Sequence, residues 1–154
     1  MKAIGYARFG AAKDVLFPLE TPTPNPADGQ VLVRLIRSGV NPSDAKARAG
    51  SRPGVTKPAF ETIIPHSDGA GIIETVGTGV DTNRIGQRVW IWNGQWQRAF
   101  GTAAEYSALD AAQAIAMPDE INFDTSATMG IPCLTAAHSV FGNGEVDGQI
   151  LLIR

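Results

Sequence analysis

Glycine and proline interrupt this chain so often that long helices have little room to form. The 154 residues hold 17 glycines and 10 prolines, and each such residue inside a helix costs about 1 kcal/mol for glycine and about 3 kcal/mol for proline. Short strands joined by turns are the economical alternative. Lys2–Tyr6 and Val15–Leu19 read as strands on either side of a glycine-bearing turn. The segment TPTPNPADGQ cannot enter a central strand, because proline lacks the amide donor that a ladder needs; it reads as a loop. Gln30–Gly39 alternates cleanly, with Val31, Val33 and Leu35 on one face and Leu32, Arg34 and Ile36 on the other. Ser43 is placed to cap a short helix over Asp44–Ala49, which Gly50 and Pro53 then end. Gly69–Val76, Gln87–Trp92, Ala103–Leu109 and Gln113–Met117 complete a set of short strands. Residues 1–118 therefore predict a mainly β domain with short helices, consistent with a partly open barrel.

Residues 119–154 have a different character. Asp124 is placed to cap a helix beginning TSATMG, and Pro132 suits the first turn of another running Leu134–Phe141. After the turn GNGEVDG comes QILLIR, an apolar strand of the kind buried inside a parallel sheet. No neighbouring strand follows it, so it reads as the first strand of an interrupted domain.

Charge and cysteine content narrow the function classes. A net charge of −2 offers no electrostatic attraction to nucleic acid or an anionic membrane. The one cysteine, Cys133, allows neither a disulfide framework nor a zinc finger, which suits a cytoplasmic protein. No stretch approaches the roughly 20 apolar residues of a membrane span, and MKAIGYARFG lacks the apolar core of a signal peptide.

Several motifs invite chemistry. GAGIIE at Gly69 and GTGVDT at Gly77 begin like dinucleotide-binding turns, but neither has the third glycine or a helix behind it. They read as strand and turn. His66, Ser67 and Asp68 are adjacent, but no GxSxG elbow accompanies them, so a turn held by local hydrogen bonds is expected. Asn41-Pro42-Ser43-Asp44 follows the best strand and reads first as an Asx turn with a helix cap, second as the polar edge of a pocket. WIWNGQWQRAFGTAAEY carries Trp90, Trp92 and Trp96 with Phe100 and Tyr106, an aromatic wall for a flat substrate, a dimer contact or a piece of core.

In their order, SGVNPSDAKARAG, IIPHSDGAGIIETVGTGV, IGQRVW, FGTAAEY and MGIPCLTA resemble the medium-chain dehydrogenase/reductase superfamily, in its zinc-independent quinone oxidoreductase branch that includes zeta-crystallin. The resemblance implies a GroES-like domain followed by a Rossmann domain of which only the first strand is present. It implies hydride transfer from NADPH to a small-molecule quinone or enone. Asn41 would lie near nicotinamide and substrate and polarise by hydrogen bonding, with Asp44 orienting its loop. Pro42, Gly130 and Thr135 would border the nicotinamide, while Trp92 and Trp96 would wall the quinone. The zinc-ligand positions of related alcohol dehydrogenases fall on Asn41, Ser67 and the neighbourhood of Ile131, so no metal is expected. Gln87 stands where the family's GDRV stretch has an acid, a change confined to a turn. Without a phosphate-binding turn the chain alone is expected to show no reductase turnover. The alternative is a stand-alone, non-catalytic GroES-like binding or assembly module, with the aromatic stretch as its partner surface and a homo-oligomer as one form. Elemental analysis of the purified chain is expected to find no stoichiometric zinc; one zinc per chain would restore the alcohol dehydrogenase reading.

Overall fold

The strand expected over Gln30–Gly39 forms with those bounds and is paired on both sides. A computed structural model describes residues 1–150 and Leu152. Its strands are β1 (Lys2–Gly5), β2 (Phe17–Glu20), β3 (Gln30–Gly39), β4 (Asp68–Val76), β5 (Arg88–Ile91), β6 (Tyr106–Asp110) and β7 (Ala114–Ala116). Its helices are α1 (Ala12–Val15), α2 (Pro42–Ala49), α3 (Phe123–Ser126) and α4 (Leu134–Phe141). β1 pairs with β2, and the other strands form an antiparallel sheet in the order β6-β3-β4-β5-β7.

That order dictates a curl. β6 and β7 occupy opposite edges of the sheet, yet only the 3-10 turn Ala111–Gln113 separates them in the chain. So short a link brings the end of one edge strand beside the start of the other, and the sheet wraps without closing. β3 accommodates the bend through register shifts at Leu32/Val33 and Leu35/Arg37. Gly71 of β4 lies under this bend, where a Cβ would overlap the Arg34 carbonyl oxygen. GAGIIE is thus a strand whose glycines permit close backbone approach. Inside the curl, Val31, Val33, Ile73, Val89, Ile91, Leu109 and Ala114 form the main core. A smaller cluster of Tyr6, Val15 and Ile63 anchors the β1–β2 ribbon side, which is tied on by the bridges Ala3↔Ala104 and Tyr6↔Ile63.

Several expected boundaries move, each for a local reason. Val15 ends the helical turn α1, and the following strand is Phe17–Glu20; its Pro18 is tolerated because β2 pairs on one side only. α2 starts at Pro42, capped by Asn41 and not Ser43, because proline's fixed φ suits the first helical position. α3 is capped by Asn122, whose side chain accepts from the Thr125 amide, and Asp124 sits inside it. Pro132 lies in a π-helical turn, Met129–Cys133, that leads into α4. Ala103 and Ala104 precede β6 and meet β1 instead.

The segment after Met117 returns to the sheet, where Phe123 and Ala127 pack with Trp90, Ala70 and Met117. Of QILLIR, Gln149, Ile150 and Leu152 are in no strand, since no neighbouring strand among the described residues supplies hydrogen-bond partners. Leu151, Ile153 and Arg154 lie outside the described residues. No described helix is long and apolar enough to cross a membrane. Leu109 is fully buried in the main core; Leu109→Ala is expected to cost about 2–5 kcal/mol in urea unfolding, the range for cavity-forming truncations.

Candidate functional site

The register of the central strands assembles the polar cluster. β3 and β4 run antiparallel with Gly39 opposite Asp68, so the exit of β3 and the entry of β4 lie side by side. Two residues beyond Gly39, Asn41 turns into α2, and its amide nitrogen donates to Asp68 Oδ2 at 2.9 Å. The same oxygen accepts from the Ile131 backbone N–H at 2.9 Å. Asp44 Oδ2 accepts from the Asn41 backbone N–H at 2.7 Å, closing a capping box. Asn41 and Asp44 are nearly buried, and Asp68 is completely so.

Gly130 seals the far side. A Cβ there would overlap Asp68 Oδ1, an atom with no hydrogen-bond partner among the described residues. Burial pushes the Asp68 carboxyl above the ordinary carboxylate range, against the opposing pull of the Asn41 and Ile131 bonds. Burial raises Asp44 in the same way. Two carboxyls that resist ionisation thus flank one amide side chain.

His66 is held from behind this cluster by residues distant in sequence, not by the local bonds expected of its turn. It adopts the left-handed φ of 79°, and its Nδ1 meets Ser38 Oγ at 2.9 Å. Ser38 Oγ lies 2.9 Å from Thr102 Oγ1, which donates to the Asp68 carbonyl at 2.5 Å. Thr102 has one proton and spends it there, so Ser38 donates to Thr102 and His66 Nδ1–H donates to Ser38. Burial lowers the His66 pKa, favouring the neutral ring. Ser38 is therefore not activated as a nucleophile, because its proton points away from the imidazole.

Beside the cluster opens a cleft of about 540 Å³. Asp44, Ser43 and Ser67 form part of its polar wall, and Phe9, Phe60 and Trp96 its aromatic one. Trp96 is 60% exposed, so its ring is available to a ligand. Trp92 does not line the cleft; its indole N–H donates to the Ala112 carbonyl at 3.2 Å, beside the β7 edge. Pro42 is exposed in the first turn of α2, and Thr135 is exposed on α4, where its carbonyl accepts from Ser139. The structure therefore gathers Asn41, Asp44 and Gly130 around Asp68, and leaves Pro42, Thr135 and Trp92 outside that knot.

Asp68 is the member that sequence reading missed. The signal present was a lone acid heading the apolar run GAGII, where burial without a partner would be costly. Zinc does not suit this donor set. Asn41 and Ser67 offer an amide and a hydroxyl, Ile131 a hydrocarbon, and no three His, Cys, Asp or Glu side chains converge among the described residues.

Residues 27–119 match the alcohol dehydrogenase GroES-like domain. The chain belongs to that family. Quinone oxidoreductase from Rattus norvegicus is 33% identical over 155 residues, covering 100% of this chain and 45% of that protein. A putative NADPH:quinone reductase from Bacillus thuringiensis superposes with a TM-score of 0.78 at 34% identity, over 90% of this chain and 39% of the other. Escherichia coli quinone oxidoreductase, solved with NADPH, gives 0.78 at 25% identity, over 95% and 42%. These relatives place the GroES-like domain in the quinone oxidoreductase branch of the medium-chain superfamily. The chain spans less than half the length of each of them.

Asp68→Asn imitates the protonated carboxyl. The folded-state pKa of Asp68 is raised above its ordinary 3.8, so its contribution to stability is full below that value and is lost as pH rises through the raised one. The stability of the variant relative to the parent is therefore expected to improve as pH rises above about 4, measured by urea unfolding.

Proposed function

We propose that this chain is the substrate-side domain of an NADPH-dependent quinone or enone reductase that works without zinc. The observation that carries the reading is the buried Asn41–Asp68–Asp44 knot beside an aromatic cleft. Quinone reductases among its relatives support the same class, one of them solved with NADPH.

In this reading the cofactor supplies a hydride when bound, and the chain supplies everything around the acceptor. Trp96 stacks on the flat ring, with Phe9 and Phe60 excluding water. The Asn41 side-chain N–H donates a hydrogen bond to Asp68, which fixes the side chain in a single orientation at the head of α2. In the bound state its second donor, with Pro42, Gly130 and Thr135, would border the nicotinamide ring. Burial of Asp44 and Asp68 disfavours their charged forms, which suits an uncharged nicotinamide amide. Reduction of a quinone to a hydroquinone requires one proton in addition to the hydride. Asp44 lies on the cleft wall with its pKa raised by burial, so it holds a proton at pH values where an exposed carboxyl has lost one.

Titration of the isotope-labelled chain with naphthoquinone tests the reading. Amide shifts are expected at Ser43, Ser67 and Trp96 but not along β1. Trp96→Ala is expected to weaken binding by about tenfold through the lost stacking, while Trp92→Ala leaves it intact. Shifts confined to β1, or equal effects of the two tryptophan variants, would remove the cleft as the quinone site. The 154-residue chain alone is expected to oxidise no NADPH in the presence of quinone.

A further inference from the structure

The same cleft carries positive charge that the proposed reaction does not use. Arg52 and Arg98 both line it, and Asp44 is the one acid among the residues lining it. The ion pairs among the described residues join Arg34 to Glu74, Arg37 to Asp124 and Arg88 to Asp119. Neither cleft arginine takes part. Asp44 cannot neutralise them both, and its Oδ2 is already engaged by the Asn41 amide. A third guanidinium, Arg48, stands near enough to act with Arg52 on the hydroxyl of Tyr6, a residue that also lines the cleft. In a chain whose net charge is −2, this is a local excess of the opposite sign.

Arg98 is the better-placed of the pair. It is partly buried and emerges from the segment that holds Asn93, Gln95 and Trp96, all on the cleft wall. One Nη2 hydrogen goes to the Ala108 carbonyl of β6 at 2.5 Å. Gln95 Nε2 donates to the Arg98 carbonyl at 2.9 Å, which fastens the backbone beneath it. The other guanidinium donors have no acceptor among the described residues, and none of them is sealed from solvent. Desolvation already pushes its pKa down, so an incoming anion would relieve an existing cost.

Resting on the quinone or enone reading above, we propose that the preferred substrate carries an anionic substituent, a carboxylate or sulfonate, held by Arg98 with Arg52 of the cleft wall. The flat ring lies against Trp96, and the acid group meets the planar guanidinium fork, which matches it with two parallel hydrogen bonds. Arg98 is then a specificity residue and takes no part in moving hydride or proton.

Calorimetric titration of the unaltered chain with naphthoquinone sulfonate and with unsubstituted naphthoquinone decides the matter. The sulfonate is expected to bind about tenfold more tightly at low salt, as one charge-assisted contact implies, and salt is expected to erode the advantage. Arg98→Met is expected to abolish the advantage without weakening the unsubstituted quinone, and Arg98→Lys to restore part of it. Equal affinity of the parent chain for the two quinones overturns the proposal and leaves the quinone reading standing; because that comparison needs no variant, a misfolded Arg98→Met does not obscure it. Binding of neither quinone takes down the reading itself and the proposal with it. Displacement of the sulfonate by NADPH would assign the guanidinium to the cofactor's phosphates and also overturn the proposal.

Discussion

The buried carboxyl of Asp68 ties together three segments that are far apart in the chain. One oxygen accepts from the Asn41 side chain and from the Ile131 backbone, while the other faces Gly130 with no room for a Cβ between them. A charged group in this position would be expensive, and its raised pKa reflects that expense. The hydrogen bonds offset part of the cost and convert it into geometry. The head of α2, the entry of β4 and the π-helical turn must all stay in place for the carboxyl to remain satisfied. Asp68 is therefore both a local liability and the reason the site has a definite shape.

The curled sheet makes that shape possible. Because Ala111–Gln113 alone joins the two edge strands, the strands cannot lie flat, and the bend concentrates at the β3 irregularities opposite Gly71. Beyond the bend, the last pairs of β3 and β4 carry Ser38, Gly39 and Asp68 to one end of the sheet. Polar residues cluster at that end, where the ladder stops and backbone groups need side-chain partners. The chain from His66 through Ser38 to Thr102 serves this need, holding a left-handed histidine with bonds to two other segments.

Much of the fold could be read from residue pattern. The alternation in Gln30–Gly39, the terminating Gly50 and the helical run Leu134–Phe141 all depend on neighbours in sequence, and all appear where expected. The misplaced helix starts were decided between adjacent polar residues that cap equally well. Asn41 prevailed over Ser43 because Pro42 follows it, and Asn122 prevailed over Asp124 by reaching the Thr125 amide. QILLIR was read from its apolar character, but a strand is a pairing and not a property of one segment.

The amino-acid sequence by itself determined the mainly β character, the loop over the proline-rich stretch and the candidacy of Asn41, Asp44 and Gly130. The first two follow from backbone donors and turn-forming residues, which act over a few positions, and the candidacy follows from the resemblance carried by SGVNPSDAKARAG and MGIPCLTA. Tertiary structure alone decided that Asp68 joins Asn41, that Trp96 and not Trp92 lines the cleft, and that Arg98 has no acidic partner among the described residues. Each of these depends on which segments a curled sheet brings within hydrogen-bonding or contact distance. That distance is set by register and bend across 27 residues in the case of Asn41 and Asp68, and no local pattern encodes it.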